Sequence, residues 1–298
     1  KLSIIGTVAF DSLKSPFGER KRVLGGSASF AAVAASFFNE THIISIVGSD
    51  FDSNYFEFFA DRNIDTSGIK ISSGDTFHWS GYYEKDMSQA YTLQTDLNVL
   101  LEFDPKVPDS CKESELVFCG NIDPVLQKKA LLQFNNPELI ILDTMNYWIE
   151  NSRAALLEVL KLVDILIIND SEAKLLTGET TVITALDALL RLGPKRVIVK
   201  KGEHGSMMSD GNELCVCSAM PTRNVVDPTG AGDSFAGAFA GFLSTCSDRS
   251  DQTFRKALAY GSIVSSYTVQ GFSMEGINKL SRAVLEEQYG NLQRLSSI

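Results

Sequence analysis

The sequence predicts an α/β fold in which a parallel sheet is covered by helices on both faces. Three observations point there. Short, continuous apolar runs recur along the chain, as expected of strands buried on both sides. Helix-like segments separate them, which is what parallel connections require. Apolar residues make up 44% of the 298 positions and charged residues 21%, enough for a large core without disulfides or structural metal.

In chain order, residues 2–8 (LSIIGTV) read as a buried strand and 27–38 as a helix rich in small residues. HIISIVG at 42–48 follows as a strand and 51–63 as a helix. The runs at 116–120, 139–144, 164–170 and 196–202 are short apolar strands. Helix-like segments at 123–134, 152–162, 171–177 and 182–192 alternate with them. The last 70 or so residues are mainly helical, at 230–244, 252–268 and 276–287. Two segments break the rhythm. Residues 11–24 are polar, and residues 70–104 hold two β-rich stretches around a turn. They read as an antiparallel insertion, either a lid over a site or a hairpin covering a sheet edge. No repeat, low-complexity tract or linker divides the chain, so one domain spanning 1–298 is expected, with the lid at about 11–24 and 70–104.

Charge and composition exclude several classes. The balance of 27 basic against 37 acidic residues gives a net charge of −10, which repels phosphate backbones, so no nucleic-acid partner is expected. No apolar run approaches the ~20 residues that span a bilayer, so no membrane association is expected. The five cysteines are an odd number without a Cys-x-x-Cys pair, and the three histidines lie apart. A disulfide framework or a His/Cys zinc site is therefore not expected. These features suit a soluble, cytoplasmic protein.

The most informative stretch is Val226-Asp227-Pro228-Thr229-Gly230-Ala231-Gly232-Asp233-Ser234-Phe235, which opens the helix AGAFAGFL. Thr229 is an N-cap candidate, and Pro228 and Gly230 keep the helix from starting earlier. The amides of residues 230–233 lack intrahelical acceptors and form a site for anionic oxygen, aided by the helix dipole. The same dipole favours an ionised Asp233 in the first turn. An anion hole beside a carboxylate base is what phosphoryl transfer to an alcohol needs. A capped structural helix with an acidic first turn is the bland alternative. No P-loop, dinucleotide fingerprint or Gly-x-Ser-x-Gly elbow is present.

The full string resembles the Asp-Thr-Gly-Ala-Gly-Asp motif of the PfkB carbohydrate kinases, the ribokinase-like family, and the likeness spans nearly the whole chain. Gly25-Gly26 precedes a small-residue helix, as in the family's first motif, and Asp11 follows the first strand. Asn169-Asp170-Ser171-Glu172 resembles the family's Asn-x-x-Glu motif. Lys201-Gly202-Glu203-His204-Gly205 resembles its Gly-x-x-Gly segment on the nucleotide side. The resemblance implies a three-layer α/β/α sandwich with a small β lid, an ATP- and Mg2+-dependent kinase, and dimerisation through the lid. It implies Asp233 as base and Gly230, Ala231 and Gly232 as the anion hole. Asp11, Gly25 and Gly26 are implied for the acceptor. Asn169 and Glu172 are implied for magnesium, with Gly202, Gly205 and Thr229 on the nucleotide; Lys200 stands where many relatives have Thr and either reaches a nucleotide phosphate or stays solvated. Asp227 and Thr229 are implied for a possible K+.

The acceptor is where the sequence departs from the sugar-kinase pattern. Phe30 stands where the family has an Asn that contacts a sugar hydroxyl. It is either a flat wall of the acceptor site or a core residue. Phe77, Trp79, Tyr82, Tyr83 and Tyr91 make the expected lid aromatic. They either stack on a nucleoside base or pack the hairpin. Lys14, Arg20, Lys21 and Arg22 are candidates to hold a sugar phosphate, or form a solvated face. Asn121, Asp143 and Asn146 end strands where ligands of parallel sheets collect. Tyr260 stands in place of an Asn on the helix that flanks the family's adenine site. A small sugar, a nucleoside, or a silent binding role thus remain as readings.

Overall fold

The computed structural model describes residues 1–87 and 89–296; positions 88, 297 and 298 of the expected domain lie outside the described residues. The strands are β1 (Leu2–Ile5), β2 (Ala9–Ser15), β3 (Gly18–Gly25), β4 (Thr41–Gly48), β5 (Ile64–Ser72), β6 (His78–Tyr83), β7 (Ala90–Asp96), β8 (Leu116–Cys119), β9 (Leu139–Asp143), β10 (Ile165–Asn169), β11 (Arg196–Lys200), β12 (Ser206–Ser209) and β13 (Leu214–Cys217). The helices are α1 (Ser27–Ser36), α2 (Ser53–Ala60), α3 (Pro124–Leu131), α4 (Asn146–Asn151), α5 (Arg153–Leu160), α6 (Asp170–Thr177), α7 (Val182–Leu190), α8 (Ala231–Leu243), α9 (Asp251–Thr268) and α10 (Arg282–Ser296).

Nine strands form one sheet in the order β13-β12-β11-β10-β9-β8-β1-β4-β5. The seven from β11 to β5 pair in parallel, whereas β12 and β13 turn back antiparallel at one edge. Alternate residues of the central strands serve the two faces. Ile4, Phe118, Ile141, Ile167 and Ile198 pack under α1, α8 and α9. Ile5, Val117, Leu142, Ile168 and Val199 pack against α3, α5, α6 and α7. That is a three-layer α/β/α sandwich. Because β1 lies between β4 and β8, the strand order reverses there, and the carboxyl ends of β1 and β8 mark the place where sheets of this kind bind ligands.

A second sheet, β3-β2-β6-β7, is built from residues 9–25 and 78–96. Its extent differs from the expected segments. Residues 70–72 continue β5 in the large sheet, and Val99 and Phe103 belong to the core. The cations of the first segment tie this sheet to the body. Arg20 pairs with Glu275 at 2.8 Å, and Arg22 pairs with Asp50 at 2.5 Å. The Ser273 hydroxyl donates to the Leu24 carbonyl at 2.5 Å.

The C-terminal helix also differs from expectation. A single helix was expected over 276–287, but a 3-10 turn at Ile277–Lys279 ends before α10 begins. The Ser281 hydroxyl accepts from the Val284 amide at 3.3 Å, a cap that starts the helix later.

Candidate active site

The glycine-rich loop lies where α8 begins. The amides of Val226 and Asp227 both donate to the Val269 carbonyl, at 2.7 and 3.2 Å. Asp227 then accepts from the Thr229 amide at 3.0 Å. The N-cap is Gly230, not Thr229 as the sequence suggested. Gly230 has φ 76°, and a Cβ there would lie 2.4 Å from the Phe30 ring. Phe30 is 1% exposed, so it floors the loop from within the core. The Ala231 amide is taken by the Pro228 carbonyl at 3.1 Å. The amides of Gly232 and Asp233 stay free of intrahelical acceptors. The small face of α8 meets α1 rather than the sheet: a Cβ at Gly237 would lie 2.1 Å from the Ala31 carbonyl oxygen.

Charged groups gather beside that turn. In register, Asp143 pairs with Ile167, and Asn169 pairs with Lys200. Ile167 faces α8, so alternation turns Asp143, Asn169 and Lys200 the same way. The Lys200 ammonium donates to Asp143 at 3.0 Å, with both side chains largely buried. It also lies 2.9 Å from where a Cβ of Gly232 would be. Burial opposes its charge, but Asp143 and Glu172 hold it above the ordinary lysine range. Asn169 and Glu172 form a capping box on α6: the Glu172 amide donates to the Asn169 side chain at 2.8 Å, and the Asn169 amide to Glu172 at 3.0 Å.

Burial, with Asp143 nearby, raises Asp233 to about 7 and Glu172 to about 7. The dipole argument from sequence favoured an ionised Asp233. Desolvation in this pocket outweighs the dipole.

A further buried acid, Asp11, is raised to about 8 by burial and by Asp227 and Asp233. Its carboxylate lies against Gly25, where a Cβ would come within 2.0 Å. Gly26, with φ 92°, leaves room for the Thr7 carbonyl. Ser27 donates to the Asn121 carbonyl at 3.4 Å. The Trp148 indole donates to the Asn121 side chain at 2.8 Å.

From the small sheet, the Tyr83 and Thr229 hydroxyls share a 3.0 Å hydrogen bond. The other aromatics there pack on one another: Tyr82 stacks on Tyr91 with centroids 5.1 Å apart, and Trp79 lies against Gly81. On the far side, Gly202 and Gly205 make a tight turn, with the Gly205 amide donating to Gly202 at 3.1 Å. Gly202 faces open space. Tyr260 is fully buried and donates to Glu286 at 2.9 Å, so its ring is a core group.

The family description "pfkB family carbohydrate kinase" matches residues 4–276. The chain belongs to the pfkB carbohydrate kinase family. It is 29% identical to the cytidine kinase of Thermococcus kodakarensis, over 80% of this chain and 86% of that protein. It is also 29% identical to the ribokinase of Lactococcus lactis, over 98% of this chain and 99% of that protein. Its fold matches a putative ribokinase II from E. coli, solved with ATP and Mg2+, at a TM-score of 0.82 and 22% identity, over 98% of this chain and 99% of that one.

This pfkB-family kinase is therefore a phosphotransferase with an alcohol group as acceptor, a sugar or nucleoside kinase. Sequence reasoning missed Trp148, the short helix α4 that carries it to Asn121, and Met145, whose sulfur accepts from the Asn121 side-chain amide at 2.9 Å. The cue was the Tyr147-Trp148 pair directly after the flagged strand end. Among the described residues, no helix of the kinase is long and apolar enough to cross a membrane.

The buried acids give the kinase a pH signature. Folded pKa values of about 8, 7 and 7 for Asp11, Glu172 and Asp233 lie above ordinary carboxylate values. The folded state thus holds more protons than the unfolded chain from about pH 4 to 8, and its stability falls as pH rises through that window. Thermal unfolding of the ligand-free protein should show a higher melting temperature at pH 5.5 than at pH 8. The reverse order would contradict the assignment of these acids as buried and raised.

Proposed function

We propose that this kinase transfers the γ-phosphoryl group of ATP to a hydroxyl of a small sugar or sugar-like acceptor, with Asp233 as the base. One observation carries the reading. The Asp233 carboxyl and the amides of Gly232 and Asp233, which have no backbone acceptors, share one half-buried turn close enough for Asp233 to act on the Asp11 carboxyl. Asp11, Gly25, Gly26 and Asn121 orient the acceptor, and the Asp233 carboxylate takes the hydroxyl proton. The turn at Gly202 and Gly205 lies toward the nucleotide, with Lys200 reaching its phosphates.

The residues also fit the implied cations. Asp143, Glu172 and Asp233 converge on the single ammonium of Lys200, which leaves negative charge for a divalent cation to balance. Asn169 and Glu172 would hold Mg2+, which when bound supplies charge neutralisation at the phosphates. One Asp227 oxygen is buried without a hydrogen-bond partner, which suits a monovalent cation such as K+ held with Thr229.

Of the four cations named for a phosphorylated acceptor, Arg20, Lys21 and Arg22 each pair with an acid, whereas Lys14 lines a cavity with Tyr82 and Tyr83. A nucleoside is the second reading, favoured by the Trp148 ring at Asn121. The exposed Phe17 and Leu93 of the lid suit a homodimer through that sheet, which a sedimentation mass of two chains would bear out.

The test is ADP release with ATP and Mg2+ across sugars, nucleosides and sugar phosphates, in K+ or in tetramethylammonium. A sugar signal stimulated by K+ is expected. A cytidine or adenosine signal alone moves the assignment to nucleoside kinase. Nucleotide binding with no acceptor turned over favours a silent role.

A further inference from the structure

We propose that Asp143 is a positioning residue that acts through Lys200, setting a fixed cation into the phosphoryl site, and does not touch the acceptor. The inference rests on the kinase reading above and deepens it. Lys200 ends β11 and Asp143 ends β9, with β10 between them. Neighbouring strands lie about 4.8 Å apart, so the lysine must cross a whole strand to meet this acid. Asp143 also sits lower than its partner: it pairs with Ile167, two residues before the Asn169 that pairs with Lys200.

The ion pair therefore bends the lysine back across Asn169 and inward beneath α8. Its ammonium comes to rest 3.0 Å from Asp143 and beside Gly232. Left to itself, a lysine at a strand end extends toward water. The second Asp143 oxygen accepts from the Thr144 amide at 2.9 Å, which fixes the carboxylate's own orientation. With 4% of its surface exposed and both oxygens engaged, Asp143 has little left to offer an acceptor. The result is a charge pre-placed where a transferring phosphoryl group gathers negative charge, without reorganisation during the reaction.

A double-mutant cycle tests this with Lys200→Met, Asp143→Asn and the double variant, using the acceptor found above and calorimetric titration of ATP with Mg2+. Lys200→Met should lower kcat about 100-fold, as loss of one such donor does, with the acceptor KM little changed. Asp143→Asn should lower kcat less, again with the acceptor KM unchanged, and should have no effect in the Lys200→Met background. Its effect on ATP affinity should likewise vanish in that background. Lys200→Arg, which keeps the charge, serves if the Met variant melts early, and should recover part of the activity.

An Asp143→Asn variant that raises the acceptor KM equally in both backgrounds would overturn the proposal, as would losses that simply multiply. A wild-type protein that phosphorylates nothing would sink the kinase reading. The calorimetric cycle would still report whether Asp143 works through Lys200.

Discussion

Replacing Asp233 by Asn should lower kcat by about 10²–10⁴-fold, the usual contribution of a positioned general base. The amide has the shape of the carboxylate but cannot accept the acceptor's proton. ATP affinity should stay within a few-fold of wild type, because the proposed role of Asp233 is toward the acceptor. The variant should also gain stability at pH 8 relative to wild type. It removes a buried acid raised to about 7 that must otherwise ionise in place. The two readouts separate a lost base from a damaged fold. Turnover within tenfold of wild type, in a variant that still binds ATP, would place the base elsewhere.

Gly230→Ala should damage both stability and rate. A left-handed conformation costs a non-glycine residue about 1–3 kcal/mol. The new methyl would sit 2.4–2.5 Å from three carbons of the Phe30 ring. Overpacking of that kind costs a further ~1–3 kcal/mol, so a loss of about 2–6 kcal/mol is expected in denaturant unfolding. Relief requires the loop to lift, which moves the amides of Gly232 and Asp233. A displacement near 1 Å in a positioned site is worth about 100-fold in rate. Adding Phe30→Leu should return the packing part of the stability but not the part due to the backbone. If Gly230→Ala alone is as stable and active as wild type, the loop is not held as described.

Most of the sheet was legible because its strands are buried on both faces and so read as unbroken apolar runs. The antiparallel return of β12 and β13 was not, since direction is set by the tight turn at Gly205, where the Cys217 carbonyl leaves no room for a side chain. The glycine-rich loop was legible as a motif, but its cap was misplaced. Thr229 has the right chemistry for an N-cap, while the left-handed φ of Gly230 decides the matter. Phe30 illustrates a wider limit. Its departure from the sugar-kinase pattern was visible, yet whether it faced a ligand or the core depended on a residue 200 positions away. The ionisation of Asp233 failed for the same reason. The helix dipole is local and can be read from sequence, whereas the burial that raises Asp233, and the charges of Asp143 and Glu172 that add to it, come from other elements.

The placement of α8 and α9, late in the chain, over a sheet whose strands all precede them has a consequence for synthesis. A nascent chain that has emerged only as far as residue 230 contains every strand of both sheets. It has α1 over β1, but no α8 or α9 with which to cover Phe118, Ile141, Ile167 and Ile198. Until translation nears its end, that face is a broad apolar surface open to water and to other chains. The segment that closes it begins with the Gly230–Asp233 turn. Completion of the core and appearance of the proposed reactive centre are therefore one event, and a truncated product lacks both.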